Sequence, residues 1–180
     1  MNDEELMAKI RLGDQKSFIY LVDNYKKKIL ALCYSYTQDS HEAEDLSQDV
    51  FITFYKNANK FREQSSISTY LYKIAVSRCI DFKRKLSIKS MLTGIVNVSV
   101  KAEDLDQKIY VRQCINKLPK DIKIPIVLFY YVGLDQKEIG KILNISQKAV
   151  EGRIYRGKQK LRAMFIKEDG IYDEKKLGLH

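Results

Sequence analysis

The feature that most restricts this chain is the spacing of its apolar residues. Through residues 17–36, Phe18, Leu21, Val22, Tyr25, Ile29, Leu32 and Cys33 recur three or four apart, the stripe of an amphipathic helix. Strand alternation does not compete with it. Asp39 followed by Glu42 fits a capping box and predicts a second helix, with Leu46, Val50, Phe51 and Phe54 on one side. Asp45, Gln48, Asp49 and Lys56 fall on its other faces. A polar break at residues 62–66 leads into a third helix over about 68–85, whose end is strongly basic. Only 8 Gly and 2 Pro interrupt 180 residues, and 45% are hydrophobic, so helices with real cores are expected and a loop-rich β fold is not.

Periodicity fails from residue 86 to about 105, where Ser, Thr, Gly94 and Asn97 mix with isolated aliphatics. This predicts an all-α chain of two small helical domains, 1–85 and 106–167, joined by a flexible linker over 86–105 and followed by a frayed tail over 168–180. In the second half, Ile109, Arg112, Ile115 and Leu118 keep helical spacing up to a break at Leu118 and Pro119. Pro125 lacks a backbone donor and crowds the preceding turn, so a new helix is expected to begin there and to stop at Gly133. Asp135 and Glu138 form another capping box, before a short helix with Ile139 and Ile142 inward. Asn144 suits a left-handed turn residue, and Ser146 caps a last long helix with Val150, Ile154 and Leu161 on its core side.

Charge is unevenly placed. The chain carries +9 overall, yet residues 1–50 hold ten acidic against six basic side chains. Residues 137–167 hold nine basic residues against Glu138 and Glu151. An acidic front and a basic back predict two different partners, the second polyanionic. Cys33, Cys79 and Cys114 are scattered and form no C-x-x-C pair, which argues against a zinc site or a disulfide framework and for three small buried hydrophobes in a reducing compartment. The opening residues are acidic and resemble no signal peptide, and no apolar run is long enough to span a bilayer, so a cytoplasmic protein is expected.

Short helix, tight turn and basic helix form a helix-turn-helix, in which the second helix enters the major groove of DNA. Its outward residues would be Gln147, Lys148, Glu151, Tyr155, Arg156 and Lys158. Arg and Lys reach guanine edges or phosphates, Gln pairs with adenine, and Glu accepts from cytosine. A helical hairpin of an ordinary bundle shares the spacing, but not the basic face. In the first half, Thr69, Tyr70, Tyr72, Arg78 and the basic helix end have the composition of a single-strand site, where aromatics stack bases and cations follow phosphates. Read from composition alone, tyrosine packing explains them better than a binding site does.

Three segments together resemble the sigma factors of bacterial RNA polymerase. Residues 39–54, D-S-H-E-A-E-D-L-S-Q-D-V-F-I-T-F, are similar to the helix that grips core polymerase. Residues 61–85, F-R-E-Q-S-S-I-S-T-Y-L-Y-K-I-A-V-S-R-C-I-D-F-K-R-K, resemble the segment that melts and reads the minus-ten element. Residues 118–161 resemble the minus-thirty-five reading domain, with I-S-Q-K-A-V-E-G-R-I-Y-R-G-K-Q-K-L as recognition helix. Having only these two domains is the layout of the extracytoplasmic-function group.

The resemblance implies roles by position. Asp45, Gln48 and Asp49 would meet the polymerase clamp. Ser65, Ser66 and Thr69 would capture a flipped base, with Tyr70 as a wall, and Lys73, Arg78, Lys83 and Arg84 would hold the backbone. Glu151, Gly152, Tyr155 and Arg156 would read the minus-thirty-five element, and Arg153 would touch phosphate. Two departures bear on specificity. Ser77 stands where Asn is common, and Glu151–Gly152 replace a basic residue and Ser, which leaves more of the readout to DNA shape. The implied partners are core polymerase, promoter DNA (duplex at minus thirty-five, single-stranded at minus ten) and an anti-sigma factor, often membrane-bound. No cofactor, metal or small-molecule substrate is expected. A conventional duplex-binding regulator would use the same helix-turn-helix but leaves the acidic 45–49 surface unexplained. An enzyme is disfavoured, because the only histidines are His41 and His180 and neither a nucleophile–base pair nor a glycine-rich phosphate loop is visible.

Overall fold

The computed structural model describes residues 2–61, 65–93 and 107–169. It divides into two compact units, Met1–Val96 and Asn97–His180. Among the described residues there is no strand, as the apolar spacing predicts.

The first unit holds α1 (Asp3–Arg11), α2 (Gln15–Thr37), α3 (Ser40–Lys56), a 3-10 turn (Ala58–Lys60) and α4 (Ile67–Thr93). Helices α2, α3 and α4 pack against one another. Leu21, Ile29, Leu32 and Cys33 from α2 meet Val50 and Phe54 from α3 and Leu71, Ala75 and Cys79 from α4, all fully buried. Each large aliphatic or aromatic side chain removed from water here contributes about 1.5–3 kcal/mol. Gly13 turns the chain between α1 and α2 at φ 82°, a conformation that favours glycine. Asp14 then caps α2, its carboxylate accepting the Lys16 and Ser17 N–H groups. Asp39 Oδ1 caps α3 by accepting Glu42 N–H at 2.9 Å.

Helix α4 corrects the expected domain edge. It continues through Lys85 to Thr93, so the first eight positions assigned to the linker are helical. Residues 86–93 contain no Gly or Pro, so helix propensity persists where the apolar stripe has ended. Positions 94–105 of the expected linker, 62–64 of the polar break and 170–180 of the tail lie outside the described residues.

The second unit contains α5 (Gln107–Asn116), α6 (Lys120–Val127), a wide π turn (Leu128–Val132), α7 (Gln136–Leu143) and α8 (Gln147–Asp169). A second correction concerns Pro125, which lies inside α6 and does not start it. The helix begins five residues earlier because the Pro119 carbonyl accepts Ile122 N–H at 3.0 Å and Lys123 N–H at 2.8 Å. The bond Pro125 cannot make would go to the carbonyl of Asp121, an exposed residue where water can substitute. Gly133 ends the π turn at φ 77°, as its position suggests. Cys114, Ile126, Val127, Leu128, Ile139, Val150 and Leu161 form the core. Lys123 is buried beside them, its ammonium donating to Asn116 Oδ1, which offsets the cost of burying a charge.

Candidate polymerase and nucleic-acid interfaces

On α3, Asp45 and Gln48 are exposed and lie on one side of the helix with Asp49. Asp49 is half-buried and already engaged within the fold. Its Oδ2 sits 3.3 Å from Arg78 Nε of α4, and Arg78 Nη2 donates to Thr53 Oγ1 at 2.7 Å. One and two turns further along α3, Ile52 and Tyr55 continue the stripe as exposed apolar side chains. Sequence reasoning missed both, since an isolated exposed hydrophobe looks like any other member of the helix.

The start of α4 is built from hydroxyls. Ser66 Oγ accepts Thr69 N–H at 3.2 Å and lies 2.9 Å from the hydroxyls of both Ser68 and Thr69. Ser66 is therefore the helix cap, and Thr69 is buried against it. Ser65, half-buried, precedes them. The Tyr70 ring leans on Phe54 and Phe61 at 5.7 and 5.4 Å, and its hydroxyl donates to the Asn57 carbonyl. Burial raises its pKa, so the ring stays a neutral phenol. Tyr72 is buried in the core, as expected of one of two tyrosines two residues apart.

Lys73, Ser77 and Arg84 are exposed at spacings of four and seven, which places them on one face of α4. Arg84 also pairs with Asp81 at 3.2 Å. The other two cations assigned to the DNA backbone are turned elsewhere. Arg78 is held against α3, and Lys83 is half-buried, its ammonium pushed below the usual lysine range by burial and partly restored by Glu42 of α3.

In the second unit, the capping box of α7 is complete. Asp135 Oδ1 accepts Glu138 N–H at 2.7 Å and Glu138 Oε2 accepts Asp135 N–H at 2.9 Å. Asn144 takes the left-handed conformation at φ 55°, and Ser146 Oγ accepts Ala149 N–H to cap α8. The turn is tight enough to need Gly140, where a Cβ would lie 2.8 Å from the Ile145 carbonyl oxygen. On α8, Gln147, Lys148, Glu151, Gly152, Tyr155 and Arg156 are exposed, while Arg153 and Lys158 are half-buried at its flanks. A Cβ on Gly152 would meet nothing within 4 Å, so the outward face is open there. An open depression of about 400 Å³ at the turn is edged by Lys137 and Lys141 of α7 and by Gln147. Both lysines contribute to the basic charge of this half, but nothing in their spacing singled them out.

Comparison with known proteins resolves what such a pair of surfaces belongs to. The model of Sigma-70 region 2 matches residues 21–88, and that of Sigma-70 region 4 matches residues 108–161. The ECF RNA polymerase sigma factor SigW of Bacillus subtilis is 38% identical over 180 residues, covering 88% of this chain and 96% of that protein. This chain belongs to the ECF sigma factor family. The sigma factor is also 28% identical over 178 residues to the ECF RNA polymerase sigma-E factor of Escherichia coli K12, covering 88% and 92%. Among solved structures it resembles CnrH in complex with the cytosolic domain of CnrY, with TM-score 0.74 and 25% identity over 93% of this chain and 99% of that one. The fold also matches, at TM-score 0.70 and 21% identity, a Bartonella quintana sigma factor RpoE bound to the anti-sigma factor NepR. Region 2 takes in α2 from Leu21, all of α3 and α4 up to Ile88, and region 4 takes in α5 from Lys108 through α8 up to Leu161. Helix α1 lies outside both matches. No described helix is long and apolar enough to cross a membrane.

Proposed function

We propose that this sigma factor binds core RNA polymerase through α3, opens and reads the minus-ten element with the start and exposed face of α4, and reads the minus-thirty-five element with α8. The chemistry of RNA synthesis stays with the polymerase. The observation that carries the reading is the pairing of each family match with a surface of suited charge. An acidic α3 face lies within the region 2 match, and a basic, outward-facing second helix of a helix-turn-helix lies within the region 4 match.

In this division Asp45, Gln48 and Asp49 contact the polymerase, with Asp49 held toward α4 by Arg78. Ser65 and Ser66 line the place of an extruded base, the buried Thr69 backs Ser66 through its hydroxyl and Tyr70 walls the place, while Lys73, Ser77 and Arg84 follow the strand from α4. Arg78 and Lys83 serve that strand from their α3-facing positions through local field more than direct contact. Gln147, Lys148, Glu151, Gly152, Tyr155 and Arg156 face the groove, and Arg153 and Lys158 touch phosphates at its edges. The CnrH and RpoE structures, both bound to partner proteins, support a protein inhibitor for this chain as well, acting in the cytoplasm on polymerase-free sigma.

The test is gel filtration of the purified full chain with bacterial core polymerase. Stoichiometric co-elution is expected, and Asp45→Lys should abolish it without unfolding the chain, because Asp45 is exposed. Tight binding of the free chain to duplex DNA, with no association with core, would reject the reading.

A further inference from the structure

Helix α1 is only nine residues long, and Leu6, Met7 and Ile10 account for its docking on the rest of the first unit. Two of its charged side chains do something the apolar contacts do not require. Arg11 Nε donates to the Ala58 carbonyl at 3.2 Å and Arg11 Nη2 to the Phe61 carbonyl at 2.7 Å. Asp3 Oδ2 accepts the Ile67 N–H at 2.8 Å. These partners are the first carbonyl of the 3-10 turn, the carbonyl of Phe61 that ends it, and the first helical N–H of α4. The Ala58 carbonyl also accepts the Phe61 N–H of its own 3-10 turn at 3.2 Å, the Ile67 N–H lies in the first turn of α4, where a helix leaves its donors unpaired, and each of the three bonds is charge-assisted. The Asp3 carboxylate also complements the positive end of the α4 dipole.

Asp3 and Arg11 are eight residues apart, which is about 12 Å along one rigid helix. One end of α1 thus holds Phe61 and the other holds Ile67, so a single rigid helix bridges the two points between which the chain passes into α4. Ser65 and Ser66 stand at the α4 end of that span, and Ser66 is the cap to which Thr69 is bonded. We propose that α1 is a strut for the minus-ten reading loop, in which Asp3 and Arg11 are positioning residues that fix where Ser65 and Ser66 meet an extruded base. This inference rests on the role given to that loop under Proposed function.

The test uses holoenzyme made from the full chain and core polymerase. It is incubated with a pool of short single-stranded oligonucleotides randomised at their central positions, and the retained pool is sequenced. Wild-type holoenzyme should enrich a subset. An Asp3→Ala, Arg11→Ala double variant should keep core binding and total oligonucleotide retention but lose enrichment roughly tenfold, the discrimination carried by about one well-seated base. Asp3→Asn, which keeps an oxygen acceptor, should restore most of it. Arg11→Lys, which keeps the charge but not a fork able to hold two carbonyls, should not.

Wild-type enrichment in the double variant overturns the proposal. If Ser65→Ala and Ser66→Ala are also neutral, the role of the loop falls and takes the strut with it. If they abolish enrichment while the α1 variants do not, the strut alone falls. Should the double variant lose its helical signal, the conservative pair decides. Equal enrichment by Asp3→Asn and Arg11→Lys overturns the proposal.

Discussion

The two glycines exposed or buried along α8 should respond to alanine with opposite signs. In a helix interior glycine is about 1 kcal/mol worse than alanine. At Gly152 a Cβ meets nothing within 4 Å, so Gly152→Ala should stabilise the second unit by about 0.5–1 kcal/mol. At Gly157 the added Cβ would lie 2.7 Å from both Cδ1 and Cγ1 of Ile126 and 3.0 Å from Ile122 Cγ2. Ile126 is fully buried, so its side chain can yield only by displacing its neighbours in a close-packed core. Overpacking of this kind costs about 1–3 kcal/mol, and two close atoms on one side chain place it toward the upper part of that range. After the gain in helix propensity, a net loss of about 1–2 kcal/mol remains.

Native-state hydrogen exchange reads this locally in the full chain, whatever the first unit does. Amides of α8 should exchange about two- to fivefold more slowly in Gly152→Ala and roughly five- to thirtyfold faster in Gly157→Ala. Equal protection in the two variants would refute the claim that α6 and α8 approach through a missing side chain. The same pair separates stability from function. If Gly152 faces base edges, Gly152→Ala should alter affinity for minus-thirty-five duplex despite the firmer helix; unchanged affinity on every duplex would move the groove face elsewhere.

Three further outcomes are expected. The Asp49–Arg78 pair is more than one-third exposed on both sides, so a double-mutant cycle with Asp49→Ala and Arg78→Ala should give a coupling of only about 0.2–1 kcal/mol in urea unfolding; several kcal/mol would mean a dry, structural pair. Arg156→Ala should cost the holoenzyme about 1–3 kcal/mol in binding and relax preference at one base pair if it reads guanine, whereas equal loss on all sequences in a binding titration would make it a phosphate contact. Burial lowers the Lys83 pKa in the folded chain, so the unfolded chain binds the extra proton between the folded and ordinary lysine values. Stability should therefore rise as pH climbs through that interval, and Lys83→Met should flatten the rise in unfolding curves taken across alkaline pH.

Much of the fold is written in short spacings. Phe18 to Cys33 in α2, Leu46 to Phe54 in α3 and Val150 to Leu161 in α8 declare their faces because residues three or four apart share a side of a helix. The caps at Asp39, Asp135 and Ser146, and the left-handed Asn144, are legible for the same reason: donor and acceptor lie within four residues of each other. So was the order of the motifs that the family matches cover. The start of α6 was not legible, since Pro125 is locally a helix starter and only the bonds to Pro119 carry the helix across it. Nor was the end of α4, because helix propensity carries the helix past the point where its apolar stripe ends.

The remaining features join residues that the chain keeps far apart. Arg78 turns to Asp49, twenty-nine positions earlier, although composition groups it with the cations of its own helix. Asp3 and Arg11 look like ordinary solvated charges on a short acidic helix until α1 docks beside the loop into α4. Gly157 looks like a weakness in a helix until Ile126 is brought against it. The sequence by itself determined most of the helical segments, where several of them are capped and which face each of those buries, because those choices are settled within a turn or two of backbone. Only the tertiary structure decided which charges remain available to polymerase and DNA, since that depends on how each helix is rotated and set against its neighbours, and such a rotation is the joint result of all the side chains packed between them.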